Sequence, residues 1–150
     1  MKDKPKPNVI LLAEDDSDDR LLVKDAMSDC GWEGEIHCVE NGEELLDYLM
    51  RRGKYQATSP APRPGLILLD LNMPKKDGRE ALRQIKADPS LKRIPVVVLT
   101  TSKADTDVAS LYDLGANSFV SKPVRFDALV DVFRILGQYW FQTVQLPLHK

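Results

Sequence analysis

Polar groups of complementary chemistry stand at the ends of four apolar runs. Leu66-Ile67-Leu68-Leu69 leads into Asp70, and Val9 to Ala13 leads into Glu14, Asp15 and Asp16. Pro95 to Leu99 leads into Thr100, and the run opening at Ser118 to Val120 leads to Lys122. Four consecutive aliphatic residues suit a strand buried on both faces. An acid at the end of such a strand is costly to bury unless a cation or hydrogen-bond donors meet it. In an open α/β sheet, sites lie at the carboxyl ends of the strands.

A cluster of acids repels itself unless a cation sits among them. Oxygen ligands without His or Cys point to a hard cation, Mg²⁺ first. Mg²⁺ keeps several waters, so Asp15 and Asp70 with one backbone carbonyl suffice to hold it. The plainer alternative is that these acids serve a helix starting near Asp18, where the dipole favours negative charge; Asp18 and Asp19 are assigned that role. A carboxylate beside Mg²⁺ can be a ligand alone, or also a nucleophile towards phosphorus. The charge on a transferring phosphoryl group must be neutralised. Lys122 supplies a compact positive charge for it, and Thr100 a hydroxyl to hydrogen-bond an oxygen after transfer. Pro123 allows a cis peptide bond that would aim Lys122 inward. Phe119, on the last strand, either packs at the sheet edge or acts as a rotamer switch coupled to Thr100.

These groups need a scaffold of strands and helices in alternation. Strands are expected at Val9 to Ala13, Glu35 to Val39, Leu66 to Leu69, Pro95 to Leu99 and from Ser118 to Val120. Helical patterns follow at Asp18 to Cys30, with Ser17 as a cap, then at Gly42 to Arg52 and Gly78 to Ala87. Two more cover Ala104 to Leu114, stopping at Gly115, and Phe126 to Trp140. Strand then helix, repeated, implies an α/β fold with a parallel sheet and helices on both faces.

Two regions interrupt the rhythm. Residues 53–65 (GKYQATSPAPRPG) read as a Pro-rich surface loop, either a tolerated insertion or a partner contact. The last helix carries too much apolar surface: Leu129, Phe133, Leu136 and Trp140 form one stripe, and Val132, Ile135 and Tyr139 an adjacent one. Either the tail from Phe141 folds back over this surface, or a second subunit covers it. The expectation is a homodimer through Val132, Ile135, Tyr139, Trp140 and Phe141.

At 150 residues the chain fits one domain, read as a flexible 1–8, a body over 9–140 and an extension over 141–150. The hydrophobic share of 43% is ordinary for a soluble domain. A formal net charge of −2 gives no overall attraction to nucleic acid or anionic membrane. No apolar stretch approaches the roughly 18 residues needed to span a bilayer. No signal-type apolar core follows the Lys- and Pro-rich start, so a cytoplasmic protein is expected. Cys30 and Cys38 lack metal-site spacing and read as ordinary thiols.

With these motifs in place, the chain resembles the receiver domain of two-component response regulators. EDD follows the first strand, LLDLNMP surrounds Asp70, LTT ends the fourth strand, and GANSFVSKP reaches Lys122. The resemblance implies a doubly wound, flavodoxin-like, five-stranded parallel sheet of order 2-1-3-4-5 in a three-layer sandwich. It implies that Asp70 is the phosphoacceptor, that Asp15 binds Mg²⁺ directly, that Glu14 binds it through water or assists, and that Asn72 offers its backbone carbonyl. Thr100 and Lys122 would contact the phosphoryl group, and Phe119 would be the aromatic switch. Glu14 departs from the commoner Asp. Thr101 stands where many receivers have Ala, Gly or Ser, which implies slower exchange with small phosphodonors. The Pro-rich insertion, LDLNMP, LTTS and the ending YWFQTVQLP are similar to single-domain regulators paired with bacterial phytochrome histidine kinases. That implies a light-sensing kinase as phosphodonor and a homodimer using the last helix and tail.

The expected function is therefore a phosphoacceptor signalling protein, not an enzyme acting on a metabolite. A histidine kinase passes a phosphoryl group to Asp70, and the output acts through a further protein. The rival is a small phosphohydrolase of the haloacid-dehalogenase type. Its DxDx(T/V) pattern should follow the first strand, with a general acid two residues past the nucleophile. Asn72 holds that position here and cannot donate the proton.

Overall fold

The computed structural model describes residues 9–32, 34–56, 61–71, 78–100 and 105–147, with the backbone alone for Thr100 and for 105–107. Five strands, β1 (Val9–Ala13), β2 (Glu35–Val39), β3 (Leu66–Leu69), β4 (Val96–Thr100) and β5 (Ser118–Ser121), form one sheet. Its order is β2-β1-β3-β4-β5, and every pairing is parallel. Parallel neighbours need crossovers, which are supplied by α1 (Ser17–Asp29), α2 (Gly42–Met50), α3 (Gly78–Ala87) and α4 (Asp105–Asp113). α5 (Phe126–Gln138) follows β5. This is the fold class and strand order that the motifs implied.

The unbroken aliphatic runs have a direct explanation. Successive side chains on a strand point to opposite faces, and both faces are covered. Leu66 and Leu68 of β3 join Ile10, Leu12, Val97 and Leu99 under α1 and α5. Ile67 and Leu69 join Leu11, Ala13, Val96 and Val98 on the other face, with Leu45, Leu82, Ile85 and Leu111. In the inner strands β1, β3 and β4 no position between the layers is left for a polar residue until the strand ends. β2, at one edge, is correspondingly mixed, and only Val39 is fully buried.

Several boundaries differ from the sequence expectation. Ser17 is not the cap of α1; Asp16 is, its carboxylate accepting from the N–H groups of Asp18 (2.8 Å) and Asp19 (3.2 Å). Asp bonds the orphan amides with a charge as well as a lone pair, so it displaces the serine by one position. α2 stops at Met50 because Arg51 turns left-handed (φ 57°) without a glycine, and its guanidinium donates to Ala61 O at 2.6 Å. Pro95 precedes β4; lacking an N–H, it contributes only its carbonyl, which accepts from Ile67 at 3.0 Å. Gly115 does end the α4 turn, at φ +110°, and a Cβ there would meet Lys86 Cγ at 2.6 Å. Among the described residues no peptide bond is cis, so Lys122–Pro123 is trans.

The described parts of the 53–65 loop are anchored rather than merely superficial. Tyr48 donates to Pro62 O at 2.7 Å, Tyr55 to Glu44 at 2.5 Å, and Ala61 is buried. α5 is shorter than expected, and a π-helical turn, Tyr139–Thr143, carries the chain back towards the body. Trp140 and Phe141 pack against the α1/α5 core, with Phe141 5.8 Å from the Trp32 ring. The tail therefore folds back over the first apolar stripe. Trp140 and Phe141 take part in this internal contact and are only partly covered by it. The second stripe stays open, with Ile135 63% and Tyr139 48% exposed. Residues 1–8 lie outside the described residues. Among those described, no helix is long and apolar enough to cross a membrane.

Candidate functional site

The sheet ladder carries the main chain directly into the acids. Glu14 N–H donates to Val39 O and Asp70 N–H to Ala13 O, each at 3.0 Å. The parallel register sets Ala13 beside Leu69, so Glu14 and Asp70 emerge together. Arg20, one turn into α1, donates to Glu14 O at 2.8 Å and fixes the turn from the far side. At the other flank, Gly78 opens α3 hard against the β3 exit. A Cβ on Gly78 would lie 2.9 Å from both Asp70 O and Leu71 Cα, so only glycine permits this approach.

Glu14, Asp15 and Asp70 present carboxylate oxygens that all lie within 4.8 Å of one another. Glu14 and Asp70 are buried, and Asp15 is exposed. Lys122 reaches in from the end of β5, where Thr100 pairs with Ser121 in register. Its Nζ lies 3.0 Å from Glu14 Oε1, 3.8 Å from Asp19 Oδ2 and 4.0 Å from Asp70 Oδ2. Burial pushes the Glu14 carboxyl up to about 7; the Asp70 charge adds to this, and the hydrogen bond from Lys122 opposes it. Burial works against the Lys122 charge, yet Glu14, Asp70 and Asp19 together hold its pKa above the ordinary value. The Glu14 shift is chiefly the cost of burial, and the geometry sets three carboxylates within 4.0 Å of a single ammonium, which leaves negative charge in surplus. An all-oxygen pocket with surplus negative charge fits a hard divalent cation.

The structure thus brings Glu14, Asp15, Asp70 and Lys122 together. Thr100 ends β4 beside the β5 exit, on the same edge. Phe119 sits on β5 opposite Val98, partly buried against the core, and its N–H donates to Tyr112 Oη at 3.2 Å. Asn72 and Thr101 lie outside the described residues. Sequence reading named Asp16 among the acids after the first strand but not as the α1 cap, did not single out Arg20, and gave Asp19 only a helix-start role. The cap role of Asp16 could have been found from its position before a polar helix start; the reach of Arg20 to a carbonyl six residues back carries no sequence signal.

Residues 10–134 match the family described as the response regulator receiver domain. The chain belongs to the receiver family. It is 43% identical over 141 residues to response regulator Rcp1 of Synechocystis sp., covering 94% of each chain. Among solved receivers, it is similar to the phosphorylated cyanobacterial phytochrome response regulator RcpA, with TM-score 0.86 and 42% identity. That match covers 95% of this chain and 99% of the other. It is equally similar to the Mn²⁺-bound form of Rcp1, with TM-score 0.85 and 42% identity over 95% of this chain and 100% of that one. This receiver is therefore a response regulator related to those of phytochromes, with the fold and strand order of the family.

Proposed function

We propose that this receiver accepts a phosphoryl group on Asp70 from the phosphohistidine of a histidine kinase. An Asp70 oxygen forms a bond to phosphorus as the phosphorus–nitrogen bond breaks. The electron pair leaves with the imidazole, which takes up a proton. The observation that carries this reading is the buried Asp70 carboxylate at the mouth of the sheet, with Glu14 and Asp15 oxygens within 4.8 Å and Lys122 Nζ at 4.0 Å. Asp15 and Asp70, with the Asn72 carbonyl, would hold Mg²⁺ directly and Glu14 through water. The cation, when bound, supplies charge neutralisation at the phosphoryl oxygens. Lys122 supplies the remaining positive charge, and Thr100 a hydroxyl. The related Mn²⁺-bound Rcp1 supports a divalent cation here.

Likeness to Rcp1 and RcpA supports a phytochrome-type kinase as donor in the cytoplasm. Thr100 and Phe119 would couple the new charge to the surface over α4, β5 and α5, read by a downstream protein or a second copy. The same site would let water remove the phosphoryl group, so the protein assists its own dephosphorylation. Family membership leaves no ground for the haloacid-dehalogenase alternative. The test is incubation with Mg²⁺ and acetyl phosphate. A hydroxylamine-labile mass gain of one phosphoryl group is expected in the parent and absent in Asp70→Asn; persistence in the variant would reassign the acceptor.

A further inference from the structure

Lys122 faces three carboxylates, and the third belongs neither to the acid cluster nor to the strand ends. Asp19 stands in the first turn of α1 with Oδ2 3.8 Å from Lys122 Nζ. The ammonium is hydrogen-bonded to Glu14 at 3.0 Å and is nearly equidistant from Asp19, at 3.8 Å, and Asp70, at 4.0 Å. The Lys122 side chain is 11% exposed and that of Asp19 44%, so the lysine end is shielded while the acid is wet on its outer side. The needs of the helix start do not explain this reach. Asp16 already caps α1, and exposed Asp18 supplies first-turn charge without it.

We propose that Asp19 is a positioning residue that restrains Lys122, competing with an anionic group on Asp70 for the same ammonium. The proposal rests on the phosphoacceptor reading above. With Asp19 charged, the lysine is drawn towards α1 and must loosen that contact to meet three phosphoryl oxygens. Without that charge only Glu14 and Asp70 share the ammonium, and an anion on Asp70 captures it more readily. Asp19 is partly solvated, so the effect is the modest one of a half-exposed ion pair, about threefold in affinity or rate.

Beryllofluoride, a tetrahedral phosphoryl mimic that binds carboxylates, reads this directly. Its affinity for the full chain is measured calorimetrically at saturating Mg²⁺ for the parent, Asp19→Asn and Asp18→Asn. Asp19→Asn is expected to bind about threefold more tightly, and to be labelled by acetyl phosphate faster in proportion, while Asp18→Asn matches the parent. An equal gain in Asp18→Asn would overturn the proposal, because a general loss of acidity would then account for it. So would an unchanged affinity in Asp19→Asn, including the case where its melting temperature falls, which would leave Asp19 serving α1 alone. A parent that neither binds beryllofluoride nor takes up a phosphoryl group would instead remove the phosphoacceptor reading itself.

Discussion

Glu14 is where burial and charge meet most sharply. Burial, with the Asp70 charge adding to it, pushes this carboxyl, 1% exposed, from an ordinary 4.5 up to about 7. The folded state thus holds a proton that the unfolded chain has released between these values. The linked stability is present at low pH and is lost as pH rises through about 7. In metal-free protein the melting temperature should therefore rise as pH is lowered from about 8 to about 5, by the equivalent of up to about 3 kcal/mol. Glu14→Gln should flatten that profile, and saturating Mg²⁺ should suppress it in the parent by replacing the proton. A parent profile as flat as the variant's would remove the assignment. Asp70, Asp15, Glu14 and Lys122 were legible as residues because charged groups ending aliphatic runs are costly without partners. Asp19's second role was not legible, since it depends on how far a lysine from β5 reaches across the sheet.

At the scale of elements, the site is held by close approaches as much as by hydrogen bonds. The start of α3 touches the main chain of Asp70 and Leu71 through Gly78, where a Cβ would lie 2.9 Å from backbone atoms that cannot swing aside. Gly78→Ala should therefore destabilise by about 1–3 kcal/mol through overpacking, although alanine favours helix. It should also weaken Mg²⁺ binding by shifting Asp70. Denaturant midpoints and a Mg²⁺ titration check both effects; a variant as stable as the parent, with equal affinity, would show that the α3 start yields freely. The helix bounds that shifted did so for local reasons visible only in three dimensions. Arg51 adopts a left-handed turn tied to Ala61, and α5 gives way to a π-turn where Phe141 meets Trp32.

For the whole molecule, the question is which apolar surface the chain covers by itself. The stripe of Leu129, Phe133, Leu136 and Trp140 is turned inward, with Phe141 laid over it. Ile135 and Tyr139 are exposed on the neighbouring arc, with Val132 partly covered. Of the five residues expected at a homodimer surface, Ile135 and Tyr139 are thus the most open, while Val132, Trp140 and Phe141 are partly covered. Ile135→Asp with Tyr139→Ser should shift sedimentation towards monomer while leaving the melting temperature of the monomer nearly unchanged. Trp140→Ala should instead cost about 1–3 kcal/mol in fold stability, because that indole is partly buried against the α1/α5 core. Unchanged sedimentation of the double variant would exclude this face as the interface.

The sequence by itself determined the alternating architecture and the sharp end of each strand. Both follow from one-dimensional rules: aliphatic runs must be buried on two faces, and charge is excluded until the layers end. It also determined which acids and which lysine would meet, because a parallel sheet delivers all its carboxyl ends to one edge. Only the tertiary structure decided that Asp19 joins Glu14 and Asp70 around Lys122, that a glycine abuts Asp70, and that the tail covers one apolar stripe and leaves the other. Those outcomes depend on distances between residues far apart in the chain, set by packing rather than by any local pattern.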